Sequence, residues 1–252
     1  IEVTNSTFTI DDLAQSGIYG YWFVNTGATI NMYQDASNYI DLFGNLVISG
    51  GNMNVFGGAD DSFWGSTDGG SINMSGGVLD FVNWGVNVFG TYPFTETITG
   101  GTIIVGGEFR VNRADFNPTG GTIEFHSTTT AYISHNAGSN FYNILINKYT
   151  SPLYNALQED HQTDEKVSDL ESVPPWQVEL HKKKEKATLS SRSPVVILAS
   201  NLDINGNLTI DEGILDVSTS NYAINIAGDW TNNVDLTGFT ERSGAVTFDG
   251  AS

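Results

Sequence analysis

One short phrase recurs along the chain: a small hydroxylated or polar residue, glycine, then two apolar residues separated by one position. Its copies read Ile48-Ser-Gly-Gly-Asn-Met-Asn-Val55, Met74-Ser-Gly-Gly-Val-Leu-Asp-Phe81, Ile98-Thr-Gly-Gly-Thr-Ile-Ile-Val105 and Pro118-Thr-Gly-Gly-Thr-Ile-Glu-Phe125. Ile210-Asp-Glu-Gly-Ile-Leu-Asp-Val217 and, more loosely, Arg242-Ser-Gly-Ala-Val-Thr-Phe248 continue the series. The first glycines of the first four copies fall at 50, 76, 100 and 120, giving intervals of 26, 24 and 20 residues. A turn plus a short strand repeating at that length defines stacked coils, because one such unit cannot bury its apolar side alone.

The runs between turns alternate as strands do. Ile30 and Met32 share one face of Thr29–Tyr33 while Asn31 takes the other, and Ser71–Met74 and Tyr222–Ile226 behave alike. Hairpins would favour two-residue turns such as Asn-Gly, yet Asn205-Gly206 is the only such dipeptide. The repeat returns after a full coil, which favours parallel stacking. The fold expected is therefore all-β: a right-handed parallel β-helix, or β-solenoid, of about nine or ten coils at about 22 residues each. One inward column is expected through Met53, Leu79, Ile103, Ile123, Leu215 and Val246. Val55, Phe81, Val105, Phe125, Val217 and Phe248 form a second.

One stretch departs from this pattern. Residues 155–193 contain no glycine in a chain with 28, and they hold 8 acidic and 6 of the 10 basic residues. The organisation expected is N-terminal coils over 1–154, a charged insertion over 155–193, and C-terminal coils over 194–252. The insertion has room for helices around 156–171 and 177–189, and carries the basic run Lys182–Lys186. Without it the coils hold 21 acids against 4 bases.

Charge and composition narrow the partners. A net charge of −19 repels phosphate backbones and anionic lipid, so neither nucleic acid nor membrane insertion is expected. No apolar run approaches the length of a membrane-spanning helix. Cysteine is absent, which removes disulfides and thiolate metal sites. Val246-Thr-Phe-Asp-Gly250 reads as the opening of another coil, so self-association through open coil ends, or continuation in a longer chain, is expected.

The order Phe141-Tyr-Asn-Ile-Leu-Ile-Asn-Lys148, Leu202-Asp-Ile-Asn-Gly-Asn-Leu-Thr-Ile210, Gly228-Asp-Trp-Thr-Asn-Asn233 and Gly244-Ala-Val-Thr-Phe-Asp-Gly250 resembles the β-helical repeat regions of secreted or surface proteins of Bacteroidota. Many of these are exported by the type IX secretion system. The Gly-Gly repeats from 50 to 121 resemble the same regions. The resemblance implies an extracellular or outer-surface location and a mechanical or adhesive role as stalk, adhesin or filament.

Enzymatic chemistry is the rival reading, since β-helices also carry polysaccharide lyases and hydrolases. Glu108, Arg110, Arg113 and Asp115 gather a base and carboxylates within one short segment, although surface ion pairs explain them more simply. Asp60, Asp61 and Asp68 lie in a turn-rich loop where clustered hard oxygens suit Ca²⁺, without the spacing of an EF-hand. Trp64, Trp84 and Trp230 could stack on sugar rings, with packing between coils as the simpler role. His126, His135, His161 and His181 show no metal-ligand spacing. No cofactor is expected beyond that calcium, and no catalytic residue is assigned.

Overall fold

The computed structural model describes residues 1–13, 16–18, 20–34, 40–42, 44–56, 63–65, 70–81, 94–148 and 194–250. Every strand pair among them is parallel. The protein is a parallel β-solenoid whose coils have three sides.

The first side is built by β1 (Glu2–Val3), β4 (Tyr21–Val24) and the leading halves of β7 (Asn45–Phe56), β9 (Gly70–Phe81) and β10 (Phe94–Val105). Backbone bonds from Thr119 to Ile98 and from Asn140 to Phe116 carry it onward. It then continues through a bridge between Phe141 and Ile204 into β16 (Leu202–Ile204), β19 (Ile224–Ile226) and β22 (Val246–Phe248).

The second side holds nine rungs. These are β2 (Thr7–Leu13), β5 (Thr29–Gln34), the trailing halves of β7, β9 and β10, then β12 (Thr122–Phe125), β14 (Asn143–Asn147), β17 (Leu208–Glu212) and β20 (Trp230–Asn232). The third side comprises β3 (Ser16–Ile18), β6 (Ile40–Leu42) and β8 (Phe63–Gly65). Higher up it comprises β11 (Glu108–Val111), β13 (Ala131–His135), β15 (Val195–Leu198), β18 (Ile214–Asp216) and β21 (Phe239–Thr240).

Alternation fills the interior. Met53, Leu79, Ile103 and Ile123 stack in register, as do Val55, Phe81, Val105 and Phe125, and all are buried. Each such side chain contributes about 1.5–3 kcal/mol on leaving water. Above Ile123 the first column continues through Ile144, Leu208 and Trp230, and the second through Ile146 and Ile210 above Phe125.

This corrects the expected columns at their upper ends. Leu215 belongs to the third side, in register with Val196 and Phe239, and Val217 follows it there. Val246 and Phe248 pair with Ile224 and Ile226 on the first side. The recurring phrase marks a corner, and a coil has three corners. Gly213 turns the chain from the second side to the third, one corner later than the Gly-Gly pairs at 50 to 121.

The Gly-Gly pairs join the first side to the second without breaking the ladder. β7, β9 and β10 each run through the bend as one 12-residue strand. Gly77 shows why glycine is needed: its φ is +77°, and a Cβ there would fall 2.2 Å from the Gly51 carbonyl oxygen one rung below. Gly101 and Gly121 adopt the same left-handed backbone.

The interruption enters and leaves at a single corner, between the second and third sides. The coil runs regularly to Lys148 and resumes at Pro194, and the charged insertion expected over 155–193, with its two helices, lies outside the described residues. One rung higher the same corner is made by Glu212-Gly213. There the Lys148 amide donates to the Glu212 carbonyl and the Ile214 amide donates to that of Pro194. A Cβ on Gly213 would lie 2.8 Å from the Pro194 oxygen and 3.0 Å from that of Lys148. Both ends of the interruption therefore meet beneath one glycine, and the coil closes across it.

Candidate functional site

Two places on the solenoid combine chemistry with an opening: a polar strip along the outside of the second side, and the apolar end of the core.

The strip follows from the alternation that fills the interior, because every second residue points out and in-register rungs line them up. Asn31, Asn54, Asp80, Ile104, Glu124 and Leu145 occupy successive positions of one outward column. Asn54 donates an amide hydrogen bond of 2.9 Å to the Asn31 side-chain oxygen. Beside them Tyr33 and Phe56, also in register, stack with ring centroids 4.6 Å apart. Further up, Glu124 Oε1 is held by His126 Nδ1 at 2.9 Å and by Asn147 Nδ2 at 2.7 Å.

The two carboxylates of this column are driven apart. Burial pushes Asp80 up to about 6, against the pull of His126 and with a further push from Glu124. Burial acts the same way on Glu124, yet the hydrogen bonds from His126 and Asn147 hold it below its ordinary value. Two rungs separate the pair, about 9–10 Å of ladder. Below about pH 6 Asp80 still holds its proton where Glu124 has given its up, and the two point outward along one column with Ile104 on the rung between them.

The second place is the upper end. β20, β21 and β22 are each paired on one side only among the described residues. β22 begins a coil that stands one rung above β20 and β21, and this step leaves a cleft of about 300 Å³ lined by Trp230, Asn232, Phe239, Val246 and Phe248. Trp230 meets Phe239 edge-on at 4.7 Å, and Phe248 is 64% exposed. Trp230 thus packs at the core's end while still forming its wall. Trp84 lies outside the described residues, as does the side chain of Trp64.

Glu108 and Arg110 pair with each other on β11, and Arg113 pairs with Asp115 through its Nε and Nη2. These are the surface ion pairs expected from the sequence. Asp60, Asp61 and Asp68 lie outside the described residues. Among the described residues no group of three or more His, Asp or Glu is placed to hold a metal ion. His135 points into the interior, with Nδ1 near the Asn136 carbonyl and the Ser139 hydroxyl and its ring edge-on to Phe141. No helix among the described residues is long and apolar enough to cross a membrane.

Sequence reading missed Lys148, whose side chain is 1% exposed. Its ammonium nitrogen reaches the Ser127 hydroxyl at 2.7 Å and the Gly106 carbonyl at 3.0 Å. Ser127 donates in turn to that same carbonyl at 2.7 Å. Alternation carried the signal: Ile144 and Ile146 point inward, so Lys148 does too.

Fold and surface together define a structural class, the parallel β-solenoid built from short three-sided coils. Comparison with protein-family models, with curated proteins and with solved structures finds no match to this chain.

Proposed function

We propose that the chain is a structural or adhesive β-solenoid of the cell exterior, a segment of a surface stalk, an adhesin or a filament that stacks end to end. The observation that carries this reading is the interior itself. One apolar column runs from Phe8 to Trp230 across nine rungs and its neighbour from Ile10 to Ile210 across eight. At the upper end they open into an apolar cleft flanked by strands whose outer edges carry no partner among the described residues. Such an end is a template for another coil. The outer-surface location rests on the resemblance to Bacteroidota repeat regions.

Negative-stain electron microscopy tests the end-to-end arm of this proposal. Rods longer than one molecule are expected for the chain as it stands and single rods for Phe248→Lys, whose exposed site can take the charge without unfolding the coil. Single short rods in both would remove end-to-end stacking.

One observation favours a second reading, that of a module binding or cleaving polysaccharide. Below about pH 6 the Asp80–Glu124 pair presents a protonated and an ionised carboxyl at the upper end of the separation used by inverting glycosidases, next to the Tyr33–Phe56 stack and the amides of Asn31 and Asn54. A panel of polysaccharides assayed for new reducing ends and for ultraviolet-absorbing unsaturated products distinguishes hydrolysis, elimination and inertness. Activity that Asp80→Asn abolishes would establish this reading, and an inert panel would leave the structural one.

A further inference from the structure

Lys148 occupies an unusual place. Its side chain turns into the corner between the second and third sides and spans two rungs, ending at the Ser127 hydroxyl and the Gly106 carbonyl. Both acceptors are neutral. Among the described residues no carboxylate pairs with it, although the chain carries 29 acids.

The charged groups on the neighbouring elements are directed elsewhere. On β12 and the corner after it, Glu124 and His126 bond each other on the outside. On Lys148's own strand, Asn147 is turned out to Glu124. On β17, Glu212 contributes only its backbone carbonyl, to the Lys148 amide, and its side chain is exposed. On β13, β15 and β18 the in-register residues Ala131, Val196 and Leu215 are all buried and apolar. A lysine taken out of water with two neutral acceptors is a costly cation.

This corner is also the point where the coil is interrupted. The described chain runs unbroken from residue 94 to 148, and the third side is taken up again only at Pro194. The rung carrying the interruption is thus held partly by the hydrogen bonds of a lysine that loses least as an uncharged amine.

We infer that the Lys148 corner is a proton-sensitive joint, closed when the amine is neutral and loosened when it takes up a proton, so that acid softens the solenoid locally at the coil that carries the interruption. Burial supports this by lowering the Lys148 ammonium from 10.5 to about 7. In the opened corner the lysine regains its ordinary value. Opening therefore takes up a proton between about 7 and 10.5, and the closed form gains as pH rises through that window. Below it, both forms are protonated and the dependence flattens.

Hydrogen exchange followed by mass spectrometry, corrected for the intrinsic rate, reads the opening directly. Peptides covering 122–148 and 194–216 should show an opening constant that falls about tenfold per pH unit between pH 7.5 and 9.5, while peptides covering 45–56 do not change. Lys148→Met, which keeps the length and removes the charge, should abolish the slope. A slope that survives in Lys148→Met, or one shared equally by 45–56, would overturn the inference. Should that variant fail to fold, the ¹³Cε signals of the six lysines decide in the unmodified chain. One titrating near neutral pH supports the joint, and none moving below about pH 9 rejects it.

Discussion

The coils around the Gly-Gly repeats and the coils above the interruption close the same three-sided cross-section by different chemistry. In the lower set β7, β9 and β10 each pass through a corner as a single 12-residue strand, and glycine makes this possible by letting one backbone approach the next. In the upper set the strands shrink to between two and five residues, and side-chain amides are added at the bends beside closely stacked glycines such as Gly206 and Gly228. The Asn143 side-chain oxygen accepts from the Asn207 amide, and Asn207 accepts likewise from Asp229. At another corner Asn201 accepts from Ala223 and Asn221 from Ser243. These links repeat mostly at 22 residues and bind each corner to the one above. A glycine corner gains its stability from proximity and continuity of the ladder; an asparagine corner gains it from a side chain that replaces a missing ladder bond.

The comparison can be broken in graded ways. The largest effect is expected where the two sets are alike, in the shared inward column. Ile103→Asp buries an unpaired charge and should cost about 4 kcal/mol in denaturant unfolding; unchanged unfolding would place Ile103 outside the interior. Gly77→Ala should cost about 2–3 kcal/mol, since it combines a left-handed backbone with a Cβ 2.2 Å from the Gly51 oxygen. A negligible cost would mean the Gly-Gly corner is not tightly stacked.

Asp80 gives an effect of opposite sign that depends on pH. Its carboxyl is raised from 3.8 to about 6 by burial, so the folded chain holds the proton more tightly than the unfolded one. Stability therefore falls as pH rises through that window and remains lower above it. Asp80→Asn should raise stability at pH 8 by up to about 2 kcal/mol and leave it nearly unchanged at pH 3; thermal unfolding at the two pH values checks the difference. Smallest is Asn207→Ala, which removes one acceptor from an exposed corner and should cost about 0.5–1.5 kcal/mol. A loss as large as that of Gly77→Ala would erase the distinction between the two kinds of corner.

The lower coils were legible in the sequence because their corners carry the same Gly-Gly dipeptide at nearly even spacing, so Met53, Leu79, Ile103 and Ile123 could be placed on one column by counting. Above Phe125 the second side follows Tyr142-Asn143 and Gly206-Asn207, which share no dipeptide with the lower corners. The phrase at Asp211–Gly213 resembles a Gly-Gly corner, yet it turns a different side of the coil, and Leu215 and Val217 moved with it. Local pattern encodes that a corner exists; which of three corners it is depends on the count of residues around the coil.

The candidate sites were less legible for a related reason. Asp80 and Glu124 lie 44 positions apart in the chain and become neighbours only through two registers set by coils of unequal length. Lys148 was within reach of simple alternation, but a lysine at the end of Ile-Leu-Ile-Asn reads as the polar exit of a strand. What marks it as interior is the Glu212-Gly213 corner stacked over it, 64 residues further along.

The central claim is that one continuous solenoid runs across the interruption, with coils on either side stacked in register. The absence of cysteine allows a clean test. Leu145 and Thr209 face outward as direct partners on β14 and β17, one parallel ladder spacing apart, which suits a disulfide. Thr231 lies one rung beyond Thr209. Under mild oxidation Leu145→Cys with Thr209→Cys should form an intramolecular disulfide nearly completely, while Leu145→Cys with Thr231→Cys should form none. Efficient closure of the second pair, or none of the first, would mean the coils above the interruption do not stack on those below.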